Sequence, residues 1–420
     1  METMTGTTDL TGESGYRGND VRSDCWIAVA ASAEPAINLS SKVEVQYGGS
    51  IRDLIVEGLD VLGRGNLRVE IDDQGALPWV IAARLEVAVG VADPDLTGTF
   101  LPERIVPVRE PVKDRLRRSR LYLPGNTPKF MLNAGMHHPD GVILDLEDSV
   151  APARKGEARI LVRNALRCQD FSESEVMVRI NQLPLGIDDL ESIVPEAPEL
   201  ILIPKVESPD LVVEVEVACR RIADRAGVRP PLLMPIIESA RGIMRALEIA
   251  EASPLIAALT IGLEDYTADL GVERTREGTE SLWARSCLVN AAVAAGIQPI
   301  DSVFSDVDDN EGLIASILEA KMLGFIGKGC IHPRQIATIH AAFAPTAAEI
   351  DKGKRIVAAF ESAQARGEGV VSLGSKMIDA PVVERALHTV RLAETLGLIS
   401  GDWRTDPDAE SETGKDVNDA

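Results

Sequence analysis

From residue 117 onward, short apolar runs alternate with longer stretches whose apolar residues recur every three or four positions. The short runs, at 120–123, 141–144, 176–180, 200–203, 232–237, 256–261, 298–303 and 324–327, have the length and the polar flanks of buried strands. Stretches at 154–166, 211–226, 240–251, 280–295 and 311–323 have helical spacing. Eight strand–helix units within about 225 residues predict a closed (β/α)8 TIM barrel. No Gly-x-Gly-x-x-Gly turn follows any of these strands, which sets aside a dinucleotide-binding open sheet.

The pattern upstream is different. A strand at 25–30, a helix at 50–62 with apolar Ile51, Leu54, Ile55, Leu59 and Leu62, an alternating strand at 67–71 and a helix at 77–91 predict a small α+β module. Residues 95–114 hold Pro102, Pro107 and Pro111 without periodicity, and read as a linker. Beyond the barrel, two helical stretches at 346–366 and 380–396 enclose 367–379, which predicts a helical extension or lid. The expected organisation is therefore a disordered N-terminus (1–20), the α+β module (21–94), the linker (95–114), the barrel (115–345), the helical extension (346–400) and a disordered acidic tail (401–420).

Composition narrows the function classes. The chain has 420 residues, is 45% hydrophobic and carries a formal charge of −23, which argues against nucleic-acid binding. No apolar run is long enough to span a bilayer and the first twenty residues are polar, so a cytoplasmic location is expected. Cys25, Cys168, Cys219, Cys287 and Cys330 are scattered, without the paired spacing of a disulfide framework or zinc cluster.

The candidate chemistry lies at the strand ends. Glu238 follows the fifth strand and Asp265 the sixth, one βα unit apart, and active sites of such barrels lie where strands end. Two carboxylates there suit Mg²⁺, a hard ion that completes its octahedron with water or substrate oxygens. Arg179, at the end of the third strand, suits a substrate carboxylate or developing oxyanion because guanidinium is planar and permanently charged. Such a set serves carbon–carbon cleavage of a 3-hydroxyacyl thioester. The resulting enolate needs an acid, with Asp379 the candidate and Asp145, Glu147 and Asp148 its rivals. Capping and pairing with Lys155 or Arg159 is the plainer expectation for those three, a loop role for His332, and an ion pair for Lys205.

Motifs carry this further. Arg118-Ser119-Arg120-Leu121-Tyr122-Leu123-Pro124-Gly125, Leu144-Asp145-Leu146-Glu147-Asp148-Ser149-Val150, Val178-Arg179-Ile180-Asn181, Pro204-Lys205-Val206-Glu207, Ile237-Glu238-Ser239-Ala240-Arg241-Gly242, Gly262-Leu263-Glu264-Asp265, Gly327-Lys328 with Ile331-His332-Pro333, and Met377-Ile378-Asp379 occur in order. Over about residues 117–396 the chain resembles the citrate lyase beta subunit and the malyl- and citramalyl-coenzyme A lyases, members of the HpcH/HpaI aldolase-like group. The resemblance implies Mg²⁺ at Glu238 and Asp265, substrate contacts from Arg118 and Arg179, and a catalytic Asp379 supplied across a subunit boundary in a homo-oligomer, commonly a trimer. The upstream module resembles the citrate lyase acyl carrier (gamma) subunit through Ser50-Ile51-Arg52 to Leu62, Val69 to Ala76 and Ala83-Arg84-Leu85-Glu86. That implies a phosphoribosyl-dephospho-coenzyme A arm on Ser23, in Val21-Arg22-Ser23-Asp24-Cys25, although Ser23 abuts Asp24 without the family's spacer.

The expected function is Mg²⁺-dependent cleavage of a carrier-bound citryl-type thioester to a 2-oxo acid such as oxaloacetate and an acetyl thioester. In this picture the carrier swings its substrate into the barrel, and a coenzyme A transferase (alpha) subunit is a possible partner. The alternatives are a free malyl- or citramalyl-coenzyme A lyase with a vestigial carrier, and a non-catalytic acyl carrier or assembly protein.

Overall fold

The structure, a computed structural model, describes residues 11–366, 371–373 and 376–405. It divides into two units, Met1–Ile339 and His340–Ala420.

The first unit opens with β1 (Thr11–Gly15), β2 (Cys25–Ala31), β3 (Ile37–Ser41), α1 (Glu44–Val61), β4 (Leu67–Asp73) and α2 (Pro78–Ala92). The sheet order is β1-β2-β4-β3, with only the β3–β4 pair parallel. Alternate residues Cys25, Ile27 and Val29 of β2 and Leu67, Val69 and Ile71 of β4 turn inward onto Ile51, Ile55 and Leu59 of α1. Two strands depart from expectation. β1 falls in the segment expected to be disordered, yet it pairs along β2 from Thr11↔Ala30 to Gly15↔Trp26. Its Thr-Gly-Glu-Ser-Gly sequence has no apolar alternation, and backbone pairing alone makes it a strand. β3 is an edge strand in which only Ile37 and Leu39 pack against the core. Residues 1–10 of that expected disordered segment lie outside the described residues.

The barrel follows as β5 (Ser119–Pro124), α3 (Pro128–Met131), β6 (Gly141–Asp145), α4 (Lys155–Cys168), β7 (Glu175–Arg179), α5 (Leu185–Ile193), β8 (Leu200–Ile203), α6 (Pro209–Ala226) and β9 (Leu232–Ile237). It continues through α7 (Ala240–Met244), α8 (Ala246–Ala250), β10 (Ala258–Ile261), α9 (Leu263–Leu270), α10 (Leu282–Ala294), β11 (Gln298–Asp301), α11 (Asn310–Leu323), β12 (Gly327–Cys330) and α12 (Arg334–Phe343). Strands β5 to β12 are parallel neighbours that close into a barrel, packed inside by Ile143, Met177, Leu202, Met234, Ile236 and Ile300. The last strand lies three residues beyond the expected 324–327. Gly324, at φ +104°, ends α11, and the Gly-Lys-Gly-Cys strand hides its burial because Lys328 pairs with Asp301 at 2.8 Å.

The linker has no regular structure but is tied down. Amides of Ile105 and Val106 donate to the Arg167 carbonyl at 3.0 and 3.1 Å, and Arg109 pairs with Glu199 at 2.7 Å.

In the second unit, α13 (Ala347–Ala365) starts at a Thr346/Glu349 capping box, and β13 (Val371–Leu373) pairs antiparallel with β14 (Lys376–Ile378) ahead of α14 (Ala380–Thr395). Trp403 packs with Ile356, Val383 and Val390, so the tail expected to be disordered from 401 is ordered through 405. Residues 406–420 of that expected tail lie outside the described residues. Among the described residues no helix is long and apolar enough to cross a membrane.

Candidate active site

Glu238 is the residue immediately after β9, and its side chain lies across the ends of both neighbouring strands. Its Oε1 accepts the backbone N–H of Lys205, just past β8, at 2.7 Å. On the other side Gly262, just past β10, makes the room: a Cβ there would stand 2.4 Å from Glu238 Oε2. Lys205 pays for this arrangement with a left-handed backbone, φ +50°, which aims its amide at the carboxylate. Asp265 sits in the first turn of α9, with Lys205 Nζ 3.4 Å from its Oδ1 and 3.8 Å from Glu147 Oε1. Burial, and then the charge of Asp265, push the Glu238 carboxyl up to about 8.

Arg179 ends β7 and is held by β6 and the loop after it. Its Nε and Nη2 donate to the two Asp145 oxygens at 2.6 and 2.7 Å, and its Nη1 lies 2.9 Å from Glu147 and 3.6 Å from Asp148. The guanidinium lies 5.3 Å over the ring of Tyr122, a β5 residue facing the barrel axis. Burial works against the charge of Arg179, but the Asp145 hydrogen bonds outweigh it and hold the cation more firmly protonated than usual. Burial likewise opposes the charge of Asp145, and Arg179 reverses the effect, leaving that carboxyl below its ordinary range. Glu147 is different: burial dominates and raises it, although its Oε2 is the oxygen that faces Arg179 Nη1 at 2.9 Å.

The charge count favours a cation at this rim. Among the described residues, Asp145, Glu147, Asp148, Glu238 and Asp265 are met by Arg179, Lys205 and Lys155, the last donating to the carbonyls of Leu146 and Glu147. With all five carboxylates ionised, as metal binding requires of Glu238, three cations leave the charge that one divalent ion would neutralise. Among the described residues no three His, Cys, Asp or Glu side chains form a metal-holding group. A two-carboxylate site fits Mg²⁺, which keeps water or substrate oxygens in its other positions.

Not every expected residue is here. Arg118 precedes β5 and stands at the opposite, N-terminal end of the barrel. There its N–H, Nε and Nη2 all donate to Asp140 at 2.7, 2.9 and 2.8 Å, so the structure does not bring it together with Glu238, Asp265 and Arg179. Sequence gave no warning, because the motif runs through the whole strand and only register separates its two ends. Asp379, in the second unit, is exposed, and its Oδ1 caps α14 by accepting the Val382 N–H at 3.2 Å. Ser23 lies in the module, half-buried at φ +56°, with its N–H donating to the Gln74 carbonyl. His332 accepts the Arg334 N–H at 3.1 Å, a loop role.

Two constellations were not anticipated. Asp301 is buried between Lys328 and Arg285, outside the barrel wall under α10. Arg84 of α2 is fully buried between Asp24 of the module and Glu157 of α4. The sequence signal for the second was present: α2 has apolar residues on all sides, and a helix without a polar face is covered all round.

Comparison with known proteins gives this rim its context. Residues 118–333 match the family described as HpcH/HpaI aldolase/citrate lyase, and residues 14–92 match an acyl carrier family described as malonate decarboxylase delta subunit (MdcD). The chain is 40% identical over 290 residues to citrate lyase subunit beta of Escherichia coli K12, covering 68% of this chain and 96% of that one. It is 33% identical to the L-malyl-CoA/beta-methylmalyl-CoA lyase of Cereibacter sphaeroides, over 69% of this chain and 98% of that one. Among solved structures, the protein CitE of Mycobacterium tuberculosis in complex with magnesium, acetoacetate and coenzyme A superposes with a TM-score of 0.57 at 30% identity, covering 67% of this chain and 99% of that one. With a matching barrel, matching strand-end motifs and relatives spanned almost end to end, this chain belongs to the HpcH/HpaI aldolase/citrate lyase family and carries an acyl-carrier-type module at its N-terminus.

Proposed function

We propose that this protein is a Mg²⁺-dependent carbon–carbon lyase that cleaves a 3-hydroxyacyl thioester of the citryl type to a 2-oxo acid such as oxaloacetate and an acetyl thioester. The observation that carries the reading is the convergence of Glu238 and Asp265 beside Arg179, in a rim whose own cations leave negative charge unbalanced. Glu238 and Asp265 would hold the ion. When bound, Mg²⁺ polarises the substrate oxygens that become the carboxylate and carbonyl of the 2-oxo acid.

The chain's own groups do the rest. Arg179, fixed by Asp145, presents a permanent positive charge to the oxygen that gains electron density during cleavage. Glu147, raised by burial, is suited to take the hydroxyl proton. As that O–H bond breaks, the carbon–oxygen bond becomes a carbonyl, the carbon–carbon bond opens, and its electron pair passes to the thioester enolate. Asp379 would return a proton to the enolate carbon, contributed within a homo-oligomer. Ser23 would carry the acyl arm, and a coenzyme A transferase subunit would load it.

The test is turnover of a citryl thioester on the purified chain with and without Mg²⁺, beside free malyl- and citramalyl-coenzyme A. Cleavage of the carrier-bound substrate in the presence of Mg²⁺ supports the reading; cleavage of free thioesters alone, with Ser23 unmodified by mass spectrometry, replaces it with the free-thioester lyase. That second reading draws support from the malyl-coenzyme A lyase relative, which the chain matches over nearly its whole length. A chain that cleaves none of these, with metal bound, would be a carrier or assembly protein.

A further inference from the structure

The module and the barrel meet through buried groups that belong half to each. Arg84 of α2, with no exposed surface, donates from Nε and Nη2 to the Asp24 carboxylate at 2.9 and 2.7 Å, and from Nη1 to Glu157 at the start of α4. Glu157 also accepts the Ser14 hydroxyl at 2.7 Å and the Gly15 N–H at 2.5 Å, so the end of β1 is fastened to the same carboxylate. A second clasp lies further along α4: Arg163 reaches both Glu86 oxygens at 2.8 Å, and Asn164 donates to the Trp79 carbonyl at 3.1 Å. With Arg154 on Glu157, three cations meet three carboxylates. Separating the bodies would part Arg84 from Glu157 and Glu86 from Arg163, and would expose the covered apolar face of α2.

The position of this interface matters as much as its strength. Arg84 Nη2 also donates to the Asn126 carbonyl at 3.3 Å, and Asn126 lies two residues past the end of β5. Glu157 is in the first turn of α4, the helix that follows β6. Both therefore belong to the catalytic end of the barrel, where strands give way to loops. Asp24, one residue after Ser23, is joined to that end by a single guanidinium.

We propose that the N-terminal module is a fixed lobe of the lyase: the Val21–Cys25 loop is a stationary attachment point at the rim of its own barrel, and an acyl thioester on Ser23 is delivered in cis by movement of the prosthetic arm alone. The docking half stands on the interface; the delivery half rests on the carrier-bound reading above.

Two measurements on the full chain separate these halves. Backbone ¹⁵N relaxation of the deuterated protein should give β2 and α1 the same rotational correlation time as the barrel strands; a distinct, shorter time for the module would overturn the docking. For delivery, Ser23→Ala and Asp265→Asn chains are co-assembled in a host that installs the arm, and arm occupancy is verified by mass spectrometry. Activity toward carrier-bound substrate should not exceed the sum of the separate variants, and recovery through mixing would overturn delivery in cis. If instead Ser23→Ala alone retains full activity and the wild-type chain carries no arm, the carrier-bound reading falls and delivery in cis falls with it, while the relaxation result still decides the docking.

Discussion

Two clusters of charge at the strand-end face of the barrel, one buried and one partly open to solvent, are built in opposite ways. At the module interface Asp24, Glu86 and Glu157 are met by Arg84, Arg154 and Arg163, with oxygens and N–H groups paired at hydrogen-bond distance. At the rim, Glu238 and Asp265 are drawn together beside Lys205 and Arg179, and burial, then the charge of Asp265, pushes the Glu238 carboxyl up to about 8. The first cluster satisfies itself and serves as a joint. The second keeps an excess of carboxylates and is the one proposed above as the metal site.

The sharpest contrast should come from removing one carboxylate from each. Glu238→Gln or Asp265→Asn is expected to lower kcat on the order of 10³-fold or more and to abolish saturable Mg²⁺ binding in calorimetry, with little loss of stability. Retained metal affinity in both variants would remove the site from this pair.

At the interface, Arg84→Met leaves Asp24 buried without its cation and takes from Glu157 one of its two arginines, the other being Arg154, and should cost about 3–5 kcal/mol in urea denaturation. Replacing all three groups in Arg84→Met/Asp24→Asn/Glu157→Gln should return much of that loss, because the one cation left without its carboxylate, Arg154, reaches solvent. A triple variant as unstable as the single one would show that packing rather than charge governs the joint.

The clusters should also differ in pH response. Glu238 is protonated up to about 8 in the folded protein but only to its ordinary 4.5 when unfolded. Between those values the folded state binds the extra proton, so the metal-free protein should lose stability as pH rises, and most of the loss should be complete just above 8. Glu238→Gln should flatten that slope in thermal denaturation followed from pH 5 to 9. Asp145, held below its ordinary range by Arg179, contributes the opposite trend only in acid.

The smallest effect is expected at Arg118. Clasped to Asp140 at the far end of the barrel, Arg118→Ala should change kcat/KM by less than about threefold while costing about 1 kcal/mol of stability. A large rise in KM without loss of stability would return this arginine to the substrate.

Much of this was legible from residue order. Eight apolar runs separated by helical spacing required a barrel, because parallel strands buried on both faces read as apolar runs and each return needs a helix. Acids directly after two adjacent runs required that Glu238 and Asp265 share one end of it, since parallel strands all finish on the same side. Three things needed the tertiary structure. Register decided that Arg118 and Arg179, both in strand motifs, stand at opposite ends of the barrel. Backbone pairing made a strand of polar Thr11–Gly15, which no side-chain pattern announces. The module's attachment depended on Arg84 meeting Glu157 across 73 residues of chain, a contact that local sequence cannot encode because only the folded surfaces bring the two charges together and exclude water from both.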